Sequence, residues 1–167
     1  MTKVLVETFG WIYVVLVLDW YTKKIVGYHI GLESKARHWL MALDIAVNRQ
    51  FPRGALGQGL SLMSDNGCQP TSTAFMRDCS QLGIHQAFTS YNNPKGNADT
   101  ERMMRTLKEE CLWLREWTSP FELETALKSW IEQQYNQQYL HSALGYRTPV
   151  QFEQQWINSH LTHLVYA

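Results

Sequence analysis

Along this chain the spacing of apolar and polar positions changes several times, and each change marks an element. Thr2–Val6 reads as a short strand and residues 7–10 as a turn, while residues 11–20 form an almost continuous apolar run rich in Val, Ile and aromatic rings. Such a run predicts a strand covered on both faces. Asp19 ends it, residues 21–24 turn, and Ile25–Gly31 alternate as a third strand. From Ser34 the period becomes helical: Trp39, Leu40, Leu43, Ala46 and Val47 predict a first helix, capped by Ser34 and stopped before Phe51 and Pro52. Residues 60–63 make a short strand that delivers Asp65 to its end. Residues 71–82 follow as a helix with Phe75, Met76, Cys79 and Leu82 on one face, closed by Gly83 in the left-handed region. Residues 84–89 form a fifth strand.

After a polar loop at residues 90–96, a helix is expected from Asn97 to about Trp117. Ser119 caps the next one and Pro120 takes its first position. That helix runs over residues 121–139 with Leu123, Leu127, Trp130, Ile131 and Tyr135 as its apolar stripe, and a shorter amphipathic helix starts at Pro149. The order βββαβαβ followed by helices predicts an α/β fold, a mixed five-stranded sheet flanked by helices.

Composition narrows the partners. The 167 residues carry fifteen Lys and Arg against fifteen Asp and Glu, so no global field draws the chain to nucleic acid, and any such contact must come from local patches. Cys68, Cys79 and Cys111 are odd in number and lack C-x-x-C spacing, which argues against a disulfide framework or zinc knuckle and fits a reducing cytoplasm. The longest apolar run is far shorter than the ~20 residues of a membrane helix, so no membrane partner is expected.

The candidate chemistry lies between Asp65 and Glu101. Two carboxylates at the ends of adjacent elements are what Mg²⁺ asks of a protein, water and substrate phosphates supplying the other ligands. Glu101, Arg105 and Lys108 are spaced four and then three apart and share a helix face, with Asn97 one turn earlier; Met104, Leu107, Cys111 and Leu114 form a separate apolar stripe. A carboxylate followed by two cations suits a metal and then a phosphate backbone. The plainer reading is an exposed Glu-Arg pair worth about 0.3 to 0.5 kcal/mol, with Asp65-Asn66-Gly67 as a generic turn.

The combination is more specific than its parts. Val14-Val15-Leu16-Val17-Leu18-Asp19, Lys24-Ile25-Val26-Gly27, Ser64-Asp65-Asn66-Gly67-Cys68-Gln69, Asn93-Pro94-Lys95-Gly96-Asn97-Ala98, Glu101 and Leu107-Lys108-Glu109-Glu110 occur in that order, with thirty-five residues between Asp65 and Glu101. Tyr135-Asn136, His141 to Tyr146 and Thr148-Pro149 close the series. The whole resembles the catalytic core of bacterial insertion-sequence transposases and retroviral integrases. The resemblance implies a ribonuclease-H-like fold in which two Asp and one Glu bind two Mg²⁺ (or Mn²⁺) ions for DNA strand cleavage and joining. It makes Asp65 and Glu101 the catalytic and metal-binding acids. Arg105, Lys108, Asn97 and Lys95 become DNA contacts, and Asn66 and Gly67 support the site.

It also implies DNA partners, the element ends and the target, with a homodimer expected in a bacterial cytoplasm. Residues 1–145 would be the core, N-terminally truncated at its first strand, and residues 146–167 its C-terminal helical tail.

The departure from the pattern is at the start, where the family's first aspartate would fall one position ahead of Met1. Asp19 lies at the far end of the next strand and Glu7 in a hairpin turn, so neither is expected to replace it. A chain with two acids is expected to hold metal weakly or not at all and to be inactive as given, as a truncated element or a misplaced start codon would be. The rival expectation is a non-catalytic remnant that keeps the fold to dimerise or bind a transposase partner. Outside the site, His141 is expected to face solvent or cap a turn, Cys68 to be a plain small residue, and the ring-rich helix of residues 121–139 to be core.

Overall fold

The computed structural model describes residues 1–89 and 98–164, with side chains to residue 160. β1 (Thr2–Val6), β2 (Gly10–Leu18) and β3 (Ile25–Gly31) form an antiparallel meander. Thr2 faces Val14 and Val6 faces Gly10 across the first hairpin, while the second ladder reaches Leu18 opposite Ile25 with an irregularity at Val17 and Leu18. α1 (Ala36–Gln50) lies across β3 and β2. Its approach is possible because Gly27 has no side chain: a Cβ there would stand 2.3 Å from the Ala42 carbonyl oxygen.

β4 (Ser61–Ser64), α2 (Thr73–Gln81) and β5 (His85–Phe88) follow, with β4 and β5 parallel. α3 (Ala98–Leu107) continues as a π-helical turn over Lys108–Leu112, and α4 (Pro120–Ser129) as another over Trp130–Tyr135. A 3₁₀ turn, Ser142–Leu144, leads to α5 (Pro149–Leu164). No helix among the described residues is long and apolar enough to cross a membrane.

Two cores result. The first joins Val4, Val6, Ile12 and Val14 of the meander to α3 and α4 through Met103, Leu107, Leu123, Leu127, Trp130 and Tyr135. The second gathers Leu43 and Val47 of α1 with Phe75 and Cys79 of α2 and Ile84 before β5. Helices therefore cover both faces of the meander. Asn136 closes the first core with a two-point clamp: its Oδ1 accepts the Ile25 N–H at 2.9 Å and its Nδ2 donates to the Ile25 carbonyl at 3.0 Å, both buried.

Several sequence expectations change here. The strands do not form a single five-stranded sheet: β1, β2 and β3 make one sheet and β4 and β5 another, because the only strand β1 pairs with among the described residues is β2 and none joins β2 to β4. The cap of α1 is Lys35 without a side-chain bond, since Ser34 Oγ instead accepts from Gln69 Nε2 at 2.7 Å. The helix expected to reach Trp117 stops at a wider turn, where Trp113 N–H bonds the Lys108 carbonyl at 2.9 Å. The extra residue in that turn buries Leu112, and Leu114 is left 69% exposed. Ser119 does cap α4, accepting from Glu122 N–H, while the Glu122 carboxylate accepts from the Thr118 N–H. The tail helix docks on the β2–β3 turn through Lys24 and Glu153 at 2.5 Å and an edge-on Tyr21–Phe152 contact.

Candidate functional site

β4 ends at a buried Ser64, and Asp65 is the first residue beyond it. Its Oδ1 accepts the Gly67 N–H at 3.0 Å. A Cβ on Gly67 would stand 2.9 Å from that same oxygen, so glycine lets the turn fold over the carboxylate. Asn66 Nδ2 donates to the Thr89 carbonyl at 2.9 Å, and Thr89 N–H donates to the Ser64 carbonyl, so the ends of β4 and β5 are tied together beneath Asp65. Asp65 is exposed, and no hydrogen bond to its second carboxylate oxygen occurs among the described residues.

Asp99 and Glu101 lie in the first turn of α3, where the helix dipole favours acids. Asp99 is paired with Lys23 Nζ at 2.7 Å, which pins the start of α3 to the β2–β3 turn. Met103, Met104 and Leu107 face the core, leaving Glu101 and Arg105 exposed and Lys108 half-buried on the other side, as the spacing predicts. None of the ion pairs among the described residues joins Glu101 to Arg105. Lys108 Nζ lies 5.7 Å from the centre of the Trp113 ring.

Asp65, Thr100 beside Glu101, and Met1 line one groove. The Met1 amino group is held below its ordinary value chiefly by burial, with the Asp65 carboxylate pulling it up and Lys108 pushing it down. The end of β4 and the first turn of α3 thus border one groove, and the charges of Asp65 and Lys108 both reach the Met1 amino group. Lys95 and Asn97 lie outside the described residues.

Asp19 is committed to its turn, accepting from Thr22 Oγ1 at 2.5 Å and from the Tyr21 and Thr22 N–H groups. Among the described residues no three His, Cys, Asp or Glu side chains gather as a metal cluster. Oxygen donors from two exposed carboxylates suit a hard divalent cation that keeps most of its water, and so fit one Mg²⁺ better than two. His141 takes the cap position of the Ser142–Leu144 turn, one of the two places expected for it, but it does not face solvent: its ring packs against Tyr135 and Tyr139, and its Nε2 is buried without a partner among the described residues. Burial first, then the charges of Lys23 and Arg102, lower its pKa. Two side chains that brace the site, Lys23 and Asn136, were not anticipated as such, because their partners lie 76 and 111 residues away.

This is an α/β domain of the class found in retroviral integrase catalytic cores. The BIV integrase catalytic core domain superposes with a TM-score of 0.57 at 20% identity, covering 100% of this chain and 96% of that one. The HTLV-2 integrase catalytic core domain, solved in complex with magnesium in a dimeric form, gives 0.53 at 16% identity over 90% and 89%. The chain belongs to the integrase core domain family, two models of which match residues 1–94 and 82–149. It is 27% identical over 144 residues to the transposase for insertion sequence element IS904 of Lactococcus lactis subsp. lactis (strain IL1403), covering 86% of this chain and 55% of that protein. It is 30% identical over 147 residues to the IS600 uncharacterized 31 kDa protein of Shigella sonnei, covering 88% and 53%. The chain thus spans about half the length of the curated relatives it matches.

Proposed function

We propose that the chain is the catalytic core of an insertion-sequence transposase that acts on DNA, with Asp65 and Glu101 as its metal-binding acids. The observation that carries this reading is that Asp65 stands just past β4 and Glu101 in the first turn of α3, with Asp65, Met1 and Thr100 beside Glu101 lining one groove, in a chain of the integrase core family. Asn66 and Gly67 hold the Asp65 turn, and Asp99 with Lys23 holds the helix that presents Glu101. Arg105 and Lys108 face the same side and would meet the phosphate backbone, joined by Lys95 and Asn97. A bound Mg²⁺ or Mn²⁺ would neutralise charge on the scissile phosphate and activate a water or 3′-hydroxyl. Two acids alone would hold such a cation weakly, so residues 1–167 by themselves are not expected to cleave and join strands. The protein acts as a homodimer on element ends and target DNA in the bacterial cytoplasm.

Manganese binding measured by electron paramagnetic resonance tests the assignment. Asp65→Asn and Glu101→Gln should each reduce bound Mn²⁺ with the fold unchanged. Binding that is indifferent to both substitutions would remove the pair from the site.

A further inference from the structure

Trp113 is the most exposed of the seven tryptophans, 65% open to solvent, and Leu114 beside it is exposed as well. Four positions on, Trp117 shows what the fold does with a tryptophan it needs: 3% exposed, with its Nε1–H on the Leu112 carbonyl at 2.9 Å. Trp113 is left at the surface. The wide turn of Lys108–Leu112 decides where its ring stands. On a regular helix a residue five positions after Lys108 would lie about 140° round the axis, on another face. Here the Trp113 N–H bonds the Lys108 carbonyl and closes one turn over those five positions, which brings the Lys108 ammonium to 5.7 Å from the indole centre. Single wide turns of this kind gather at functional sites. Lys108 also shares its helix face with Glu101 and Arg105, and Glu101 is about 10 Å back along the axis at 1.5 Å per residue.

We propose that Trp113 and Lys108 form a subsite for one unpaired DNA nucleotide, with the indole stacked on the base and the ammonium on its phosphate. This rests on the DNA reading above and deepens it, from the acids to the form of DNA that the helix face accepts. At 5.7 Å the ammonium is near the outer limit of a cation–π contact, so little is lost when it turns to a phosphate. A base inside a duplex has both faces covered by its neighbours, so only an unpaired base offers one to the ring. The acids of the same segment limit the ligand further. Glu109, Glu110 and Glu116 are exposed around Lys108 and Trp113, so a run of phosphates would meet repulsion where a single nucleotide need not. Stacking therefore carries most of the affinity, and it is tolerant of base identity because every base has a π-face.

The test compares the binding of a blunt DNA duplex with that of the same duplex carrying a short single-stranded overhang, by fluorescence anisotropy, with 2-aminopurine in the overhang as a stacking probe. The overhang should bind more tightly and its 2-aminopurine should be quenched. Trp113→Ala should weaken overhang binding on the order of tenfold, abolish the quenching and leave both the blunt duplex and the salt slope unchanged, since stacking releases no counterion. Trp113→Phe should restore much of the affinity. Trp11→Ala removes another exposed tryptophan, one on the β1–β2 hairpin with Lys3 4.3 Å from its ring centre, and should change nothing.

Overhang binding indifferent to Trp113→Ala, or equal loss for blunt and overhang DNA, would overturn the inference while leaving the DNA reading intact. Failure to bind any DNA would remove both. Self-association that is lost in Trp113→Ala, with DNA binding unchanged, would overturn it by giving the ring to a second copy of the chain.

Discussion

At the scale of single residues, the site rests on short-range devices that leave little freedom for substitution. Gly67→Ala would put a methyl group against Asp65 Oδ1, so it should weaken Mn²⁺ binding while leaving the thermal midpoint nearly unchanged. Asn136→Leu should cost roughly 2 to 4 kcal/mol in urea unfolding, because both the N–H and the C=O of Ile25 lose their partner in a buried place. On the proposed reading, Lys108→Ala should weaken DNA binding across sequences and lower its salt slope by about one. A paired-histidine contact sets a pH limit. His29 Nε2 and His38 Nδ1 lie 2.8 Å apart, a bond that needs one ring to accept and hence to be neutral. Burial lowers both pKa values first, the positive charge of His38 adding at His29 and that of Arg37 at His38. Between the ordinary histidine value and the lowered one the unfolded chain binds more protons than the folded one, so stability should fall as pH drops below about 6.5. Urea midpoints at stepped pH values check this, and His29→Gln should flatten the profile.

At the scale of elements, sequence pattern and structure agree where one period persists and part where packing overrides it. β1 and β3 were legible to the residue, and Ser119 with Pro120 announced α4, because alternation and capping are local chemistry. The two π turns were not legible. Nothing local distinguishes Lys108–Leu112 from ordinary helix; the wider turn is imposed by the need to bury Leu112 together with Leu107 and Trp117. Deleting exposed Glu109 should therefore convert that turn to regular helix at small cost. Deleting Met41 from α1, which has no wide turn to absorb the change, should rotate the residues after it out of register and lower the thermal midpoint far more. The approach of α1 to β3 was likewise hidden, although it leaves a trace in Gly27, a glycine inside a strand. Gly27→Ala should cost on the order of 1 to 3 kcal/mol, as overpacking does.

For the whole molecule, the order of elements was readable and the closure of the sheet was not. Periodicity counts strands, but which edges meet depends on contacts far apart in the chain. The positions of Asp65 and Glu101 were readable because they follow from where β4 ends and α3 begins, whereas the bonds that hold those elements come from distant segments. On the proposed reading, the neutral overall charge leaves DNA attraction to Arg105 and Lys108, so binding should show the shallow salt dependence of a few phosphate contacts.

The clamp of Asn136 on Ile25 has a consequence in time. Its two bonds span 111 residues, and the bridge from Val6 to Trp117 spans just as many. During synthesis the first hairpins leave the ribosome long before either partner exists, so the side of the meander that meets α3 and α4 stays uncovered until the last third of the chain emerges. Closing loops of that length before their contacts reward it makes the final docking of α3 and α4 the slow step of folding. Truncated nascent chains that end before Asn136 should accordingly be captured by chaperones.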